Sequence, residues 1–147
     1  MDTKRDKDMI ESVDALLIIG GTGFIGQNLS KKAVDEGYDV SIISLHQPCF
    51  EEKIEGAKYY QVDICNHEEI EKKIFNNKFD YVVNLGGYVD HSGYLDGGIQ
   101  VIDSHNRGVI NIINFVDWGT LKNFIQIGSS DEYGQCPAPQ NESMREQ

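Results

Sequence analysis

The chain has 147 residues, 39% of them hydrophobic, 25% charged and 10% aromatic, with 13 basic and 24 acidic side chains and a net charge of −11. Domains run to about 100–200 residues, so this length predicts one domain with a sizeable core, and the aliphatic content excludes wholesale disorder. The acidic balance argues against nucleic acid or an anionic membrane as partner, no apolar run approaches the ~18 residues of a membrane span, and the charged opening Met1–Val13 is no secretory signal. Three scattered cysteines, Cys49, Cys65 and Cys136, form no CxxC pair. They predict neither a disulfide framework nor a metal site, and they suit a reducing cytoplasm.

In chain order, residues 1–13 read as a polar tail, 14–136 as the folded body and 137–147 as an irregular C-terminal segment. Ala15–Ile19 is a continuously apolar run ending in glycines, as in a strand buried on both faces. Ile25, Leu29 and Ala33 follow at helical spacing, with Gly37 placed to stop the helix. Val40–Ile43 is a second strand, and Tyr59–Val62 a third, more polar and nearer an edge. His67–Phe75 reads as a charged surface helix capped by Asn66. Tyr81–Leu85 is a fourth strand, Ile99–Val116 one long helix with an apolar face, and Phe124–Ile127 a fifth strand. Alternating strands and helices predict an α/β, Rossmann-like, doubly wound parallel sheet of order 3-2-1-4-5. Its ligand crevice would lie at the carboxyl ends of strands 1 and 4, where Gly20–Gly26 and Gly86-Gly87 fall.

The segment Gly20-Gly21-Thr22-Gly23-Phe24-Ile25-Gly26 carries glycines three apart between the first strand and the first helix. Gly20 allows the tight turn, Gly23 a close approach of backbone to a pyrophosphate, and Gly26 close packing of helix on strand. The helix N-terminus then offers free N–H groups and partial positive charge to phosphates. This predicts a dinucleotide, NAD or NADP, as cofactor. No Gly-Lys-Ser/Thr follows, which excludes a Walker-type loop. An acid is expected about 20 residues on to hold the adenosine ribose, but Ser44-Leu45-His46 stands there. His46 or Lys53 would tolerate a 2′-phosphate; both are equally readable as ordinary loop residues. Asp63-Ile64 would accept from an adenine amino group and pack on its ring, or Asp63 is a plain turn aspartate. No Gly-x-Ser-x-Gly elbow surrounds a serine, which argues against a Ser-His-Asp hydrolase.

Taken together, GGTGFIG at Gly20–Gly26, Asp63-Ile64, DYVVNLGG at Asp80–Gly87, Asn106-Arg107-Gly108 and IGSSDEYG at Ile127–Gly134 resemble the extended short-chain dehydrogenases/reductases, the NAD-dependent epimerase/dehydratase family of nucleotide-sugar enzymes. The resemblance runs from about Ala15 to Glu142. It implies that Gly20, Thr22, Gly23, Phe24, Ile25 and Gly26 line the pyrophosphate. It implies further that Asp63 and Ile64 hold the adenine, and that Leu85, Gly86 and Gly87 turn against the cofactor ribose. Ser129, four residues before Tyr133, matches the family's catalytic hydroxyl, with Ser130 as its close rival. Tyr133-Gly134 matches a structural turn. Asp131 and Glu132 sit one place closer to the tyrosine than the acid pair of sugar dehydratases, so dehydratase chemistry is not assigned. The implied partner is a nucleotide sugar, and a homodimer stays open.

One departure matters more than any match. The family moves protons with a Tyr-x-x-x-Lys pair, whose lysine lowers the tyrosine pKa. None of the seven tyrosines here has lysine four places on, and the last lysine is Lys122. The expectation is therefore the amino-terminal cofactor half of an epimerase, dehydratase or reductase, inactive alone. The alternatives are a non-catalytic dinucleotide-binding module and an α/β interaction protein whose glycines are only turns.

Overall fold

The computed structural model describes residues 12–87, 94–96 and 98–144. Most of the tail at 1–13 lies outside these, as do Tyr88, His91 and residues 145–147. Five strands form one parallel sheet in the order β3-β2-β1-β4-β5: β1 Ala15–Ile19, β2 Asp39–Ser44, β3 Lys58–Gln61, β4 Tyr81–Asn84 and β5 Asn123–Gln126. The order is the one the alternating pattern predicts. Central β1 pairs Leu17 with Ser41 on β2 and with Val82 on β4.

The continuous apolar run of β1 is explained by what covers it. Leu16 and Ile18 face a cluster with Val40, Ile42 and Val83, packed under helix α1 (Phe24–Asp35) through Ala33. Leu17 and Ile19 face the opposite cluster, with Val62, Ile70, Ile74, Phe79, Ile112 and Phe115. That second layer is roofed by helices α2 (His67–Lys73) and α4 (Gly108–Phe115). Leu17 and Ile18 are fully buried, and burying each contributes about 1.5–3 kcal/mol. Helix α1 ends as Gly37 predicts. At φ +88° Gly37 donates to the Val34 carbonyl, and Tyr38 donates to Ala33, the double bond that closes a helix C-terminus. Asn66 caps α2 by accepting from the Glu69 N–H at 3.2 Å, and Glu68–Lys72 and Glu69–Lys73 pair along its exposed face.

The long helix departs from expectation. Instead of one α-helix over 99–116, α3 (Gly98–Ile102) runs into a π-helical stretch, Asp103–Arg107, before α4. Ser104 Oγ donates to the Val101 carbonyl and Asn106 Nδ2 to Ile102, both at 3.0 Å. Such local side-chain bonds compete with the α-helical ladder and bend it. The sheet edges differ from the centre. In β5, Ile125 is 42% exposed, and Ile127 just beyond it 46%.

Candidate functional site

All five strands are parallel, so their carboxyl ends and following loops lie along one edge of the sheet. A cleft of about 270 Å³ opens there. Its lining draws Gly20, Thr22 and Gly23 from the turn after β1, Ser44 to His46 from the turn after β2, and Asp63 to Cys65 from the turn after β3. Leu85 to Gly87 follow β4, and Ser104 comes from the π stretch. Loops that are 20 to 80 residues apart in sequence thus meet at the crevice expected of this strand order.

The glycine turn is built for close approach. Gly20 has φ +76°, and a Cβ there would sit 3.0 Å from the backbone of Leu85 and Gly86, so the turns after β1 and β4 pack directly on each other. Gly26 is buried, and a Cβ would come within 2.5 Å of Gly21 Cα. Gly23 differs: a Cβ would meet only the Gly20 carbonyl, at 3.4 Å, and would otherwise stand in open space. Gly23 also occupies the N-cap of α1, where no side chain caps the helix and the first turn holds no acid. The first N–H groups of a helix lack intrahelical partners, so a positive helix end faces open room beside Gly23. That donor set fits a diphosphate. The Phe24 and Ile25 side chains do not line the cleft; they are 87% and 59% exposed, and only their backbone belongs to the helix end.

The far wall is held by polar ties. Asp63 Oδ1 accepts from the Cys65 N–H at 2.9 Å, while its own N–H donates to Glu69 Oε2 at 3.0 Å. Asp63 is therefore a turn aspartate and a cleft residue at once. Ile64 seats its side chain over Gly108, where a Cβ would come within 2.6 Å of it, and Asn111 Nδ2 donates to the Ile64 carbonyl at 2.8 Å. Burial, aided by the Asp63 carboxylate, pushes the Cys65 thiol above its ordinary value, so it is a poor nucleophile. A wider hollow of about 700 Å³ lies beside Asp14, Lys32, Glu36 and Tyr38. Its charges are spent on ion pairs, Lys32–Glu36 at 2.5 Å and Asp14–Lys122 at 2.5 Å.

Residues 16–147 match the model of the NAD dependent epimerase/dehydratase family. The chain belongs to that family. Among its relatives is the bifunctional UDP-glucose 4-epimerase and UDP-xylose 4-epimerase 1 of Pisum sativum, 24% identical over 139 residues, or 86% of this chain and 40% of the relative. The fold is shared with UDP-glucose 4-epimerase of Thermotoga maritima bound to UDP-glucose (TM-score 0.75, 23% identity, 89% of this chain and 44% of that one). It is shared too with UDP-glucose 4-epimerase of Thermus thermophilus in complex with NAD (TM-score 0.73, 18% identity, 90% and 44%). The chain spans about two fifths of the length of these proteins.

Within this epimerase/dehydratase frame, Ser129 lies two residues past Ile127, on the loop after β5, at the same edge as the cleft but outside its lining. It is exposed, and its N–H donates to Glu132 Oε1 at 3.1 Å. Residues 130–133 form a 3₁₀ turn. Sequence reasoning missed the residues that hold the site in place. Asn84, fully buried, accepts from the Gly86 N–H at 2.9 Å and donates to Gln126 Oε1 at 2.8 Å, joining the turn after β4 to the end of β5. An asparagine inside the run YVVNL was the available signal, because a buried amide must find partners. The His105 ring lies against Gly87, where any Cβ would collide with it; nothing local in the helix pattern indicates that contact. Among the described residues no cluster of potential metal ligands occurs, and no helix is long and apolar enough to cross a membrane.

Proposed function

We propose that this chain is the cofactor-holding part of a nucleotide-sugar epimerase/dehydratase-type enzyme, with NAD lying across the carboxyl edge of the sheet. The observation that carries the reading is the cleft itself: an uncapped, acid-free helix N-terminus beside Gly23, facing a wall of Asp63, Ile64, Leu85 and Gly86. In this reading the α1 N–H groups hold the diphosphate, Asp63 and Ile64 take the adenine, and the turn at Leu85 to Gly87 meets the ribose. The Asn84 amide keeps that turn in place. When bound, NAD supplies hydride acceptance and return at a sugar carbon. Ser129 would hydrogen-bond the sugar oxygen that changes oxidation state, and a UDP-sugar is the substrate class that the relatives' names support. Cys49, Cys65 and Cys136 form no disulfide with one another, which suits a reducing cytoplasm.

The 147 residues hold no Tyr-x-x-x-Lys, so this stretch assayed by itself is expected to bind the dinucleotide without turning over a sugar. Loss of one acid/base group typically lowers rate about 10²–10⁴-fold. Calorimetric titration with NAD⁺, followed by incubation with NAD⁺ and a panel of UDP-sugars, tests both statements. Binding without turnover is expected. No binding at millimolar NAD⁺ refutes the cofactor assignment, and turnover near 1 s⁻¹, within the ordinary enzyme range of about 1–10³ s⁻¹, refutes the claim of inactivity.

A further inference from the structure

On the β2 side the cleft is closed by Ser44, Leu45 and His46. A dinucleotide fold ordinarily presents there an acid to the adenosine 2′-hydroxyl or a cation to a 2′-phosphate. None of the three is an acid. The Ser44 hydroxyl is turned onto its own loop, donating to the His46 carbonyl at 2.7 Å. Gln61 Nε2, from the neighbouring strand, donates to the Leu45 carbonyl at 3.0 Å. Those two bonds fix the loop and occupy the polar side chains at the ends of β2 and β3. The His46 imidazole, exposed along the cleft, is hydrogen-bonded to nothing among the described residues. Lys53, the other basic residue of this region, lines a separate hollow with Phe50, Ile54 and Tyr59. Among the described residues of the lining Asp63 is the one acid; it follows β3, and its Oδ1 accepts from the Cys65 N–H.

We propose that the end of β2 accepts an adenosine ribose carrying a 2′-phosphate, with His46 as its hydrogen-bond donor, so that the chain binds NADP about as well as NAD. The inference rests on the dinucleotide reading above and deepens it. A 2′-hydroxyl finds no carboxylate at Ser44 to Leu45 that would favour NAD, and a 2′-phosphate meets no like charge there. An imidazole can donate an N–H to a phosphate oxygen in either protonation state.

Calorimetric titration of the whole chain with NAD⁺ and NADP⁺ at matched ionic strength tests the proposal. The two dissociation constants are expected to agree within about tenfold, the span of a single good interaction. His46→Ala should weaken NADP⁺ by about tenfold, as for one hydrogen bond to a charged group, and leave NAD⁺ nearly unchanged. Ser44→Asp should weaken NADP⁺ by about a hundredfold or more through like-charge repulsion. Leu45→Asp, at an exposed neighbour, should do the same without a new charge at the nearly buried serine. NAD⁺ binding with NADP⁺ more than a hundredfold weaker overturns the inference and leaves the dinucleotide reading standing, as does an unchanged NADP⁺ affinity in His46→Ala. Failure of both nucleotides to bind overturns the dinucleotide reading itself.

Discussion

Gly23 and Gly26 sit three residues apart in one turn, yet the structure gives them opposite tasks, and a pair of substitutions separates them. In Gly26→Ala the new methyl would overlap the Gly20 carbonyl and come within 2.5 Å of Gly21 Cα. Those are backbone atoms, so relief requires α1 to lift from β1. Overpacking of this kind costs about 1–3 kcal/mol, and the better helix propensity of alanine returns about 1 kcal/mol. The net loss is about 0–2 kcal/mol, at the upper end here because the overlapped atoms are backbone, which lowers Tm by up to roughly 8 °C in a domain of this size. In Gly23→Val the backbone conformation (φ −75°, ψ 173°) suits a β-branched residue, and the nearest heavy atom to the new Cβ is 3.4 Å away. Stability should stay within about 1 kcal/mol, since a poorer N-cap and a stiffer unfolded chain nearly cancel. The branched side chain would instead fill the space beside the helix N-terminus, and NAD⁺ affinity should fall at least about tenfold, the cost of about 1.4 kcal/mol. Thermal unfolding followed by far-ultraviolet circular dichroism, with calorimetry for NAD⁺, reads both quantities. A Gly26→Ala variant as stable as wild type, or a Gly23→Val variant that binds NAD⁺ normally, would refute the division of labour.

Asn84→Ala should cost about 1–3 kcal/mol, because it strands the Gly86 N–H and the Gln126 amide oxygen that Asn84 now satisfies; a urea midpoint equal to wild type would show that the relay is dispensable. The Asp80 carboxyl is held below its ordinary range, chiefly by the Ala15 N–H donating to it and then by Lys122. A depressed folded value stabilises the fold above the unfolded carboxylate value of about 3.9, and that contribution disappears as pH falls through the lower folded value. Urea unfolding of wild type and Asp80→Asn between about pH 6 and pH 2.5 should therefore show the gap between them narrowing as pH falls below about 4; a constant gap would count against the assignment.

Much of the fold was legible because its causes are local. A run of five apolar residues, Ala15–Ile19, can only be a strand covered on both faces when glycines end it and a helical repeat follows. Gly37 and Asn66 mark helix ends through their own backbone and side-chain chemistry. The glycine turn is legible for the same reason, since turn, approach and packing each need a missing Cβ at a fixed place along the chain. What the tertiary structure alone decided depends on contacts between residues far apart in sequence. Gly108 looks like any helical glycine until Ile64, 44 residues earlier, is seen resting on it. Asn84 becomes a positioning residue only because β5 places Gln126 beside it. The smooth periodicity of 99–116 conceals the π stretch, because local side-chain bonds and packing against Gly87 set its winding. His46 and Lys53 were equivalent candidates in the sequence. Pairing of β2 with β3, and the tie from Gln61 to Leu45, sends His46 to the cleft and leaves Lys53 on a different surface. Hydrophobic period and turn chemistry are read one segment at a time, whereas the wall of a cleft is assembled from several segments and follows from their packing.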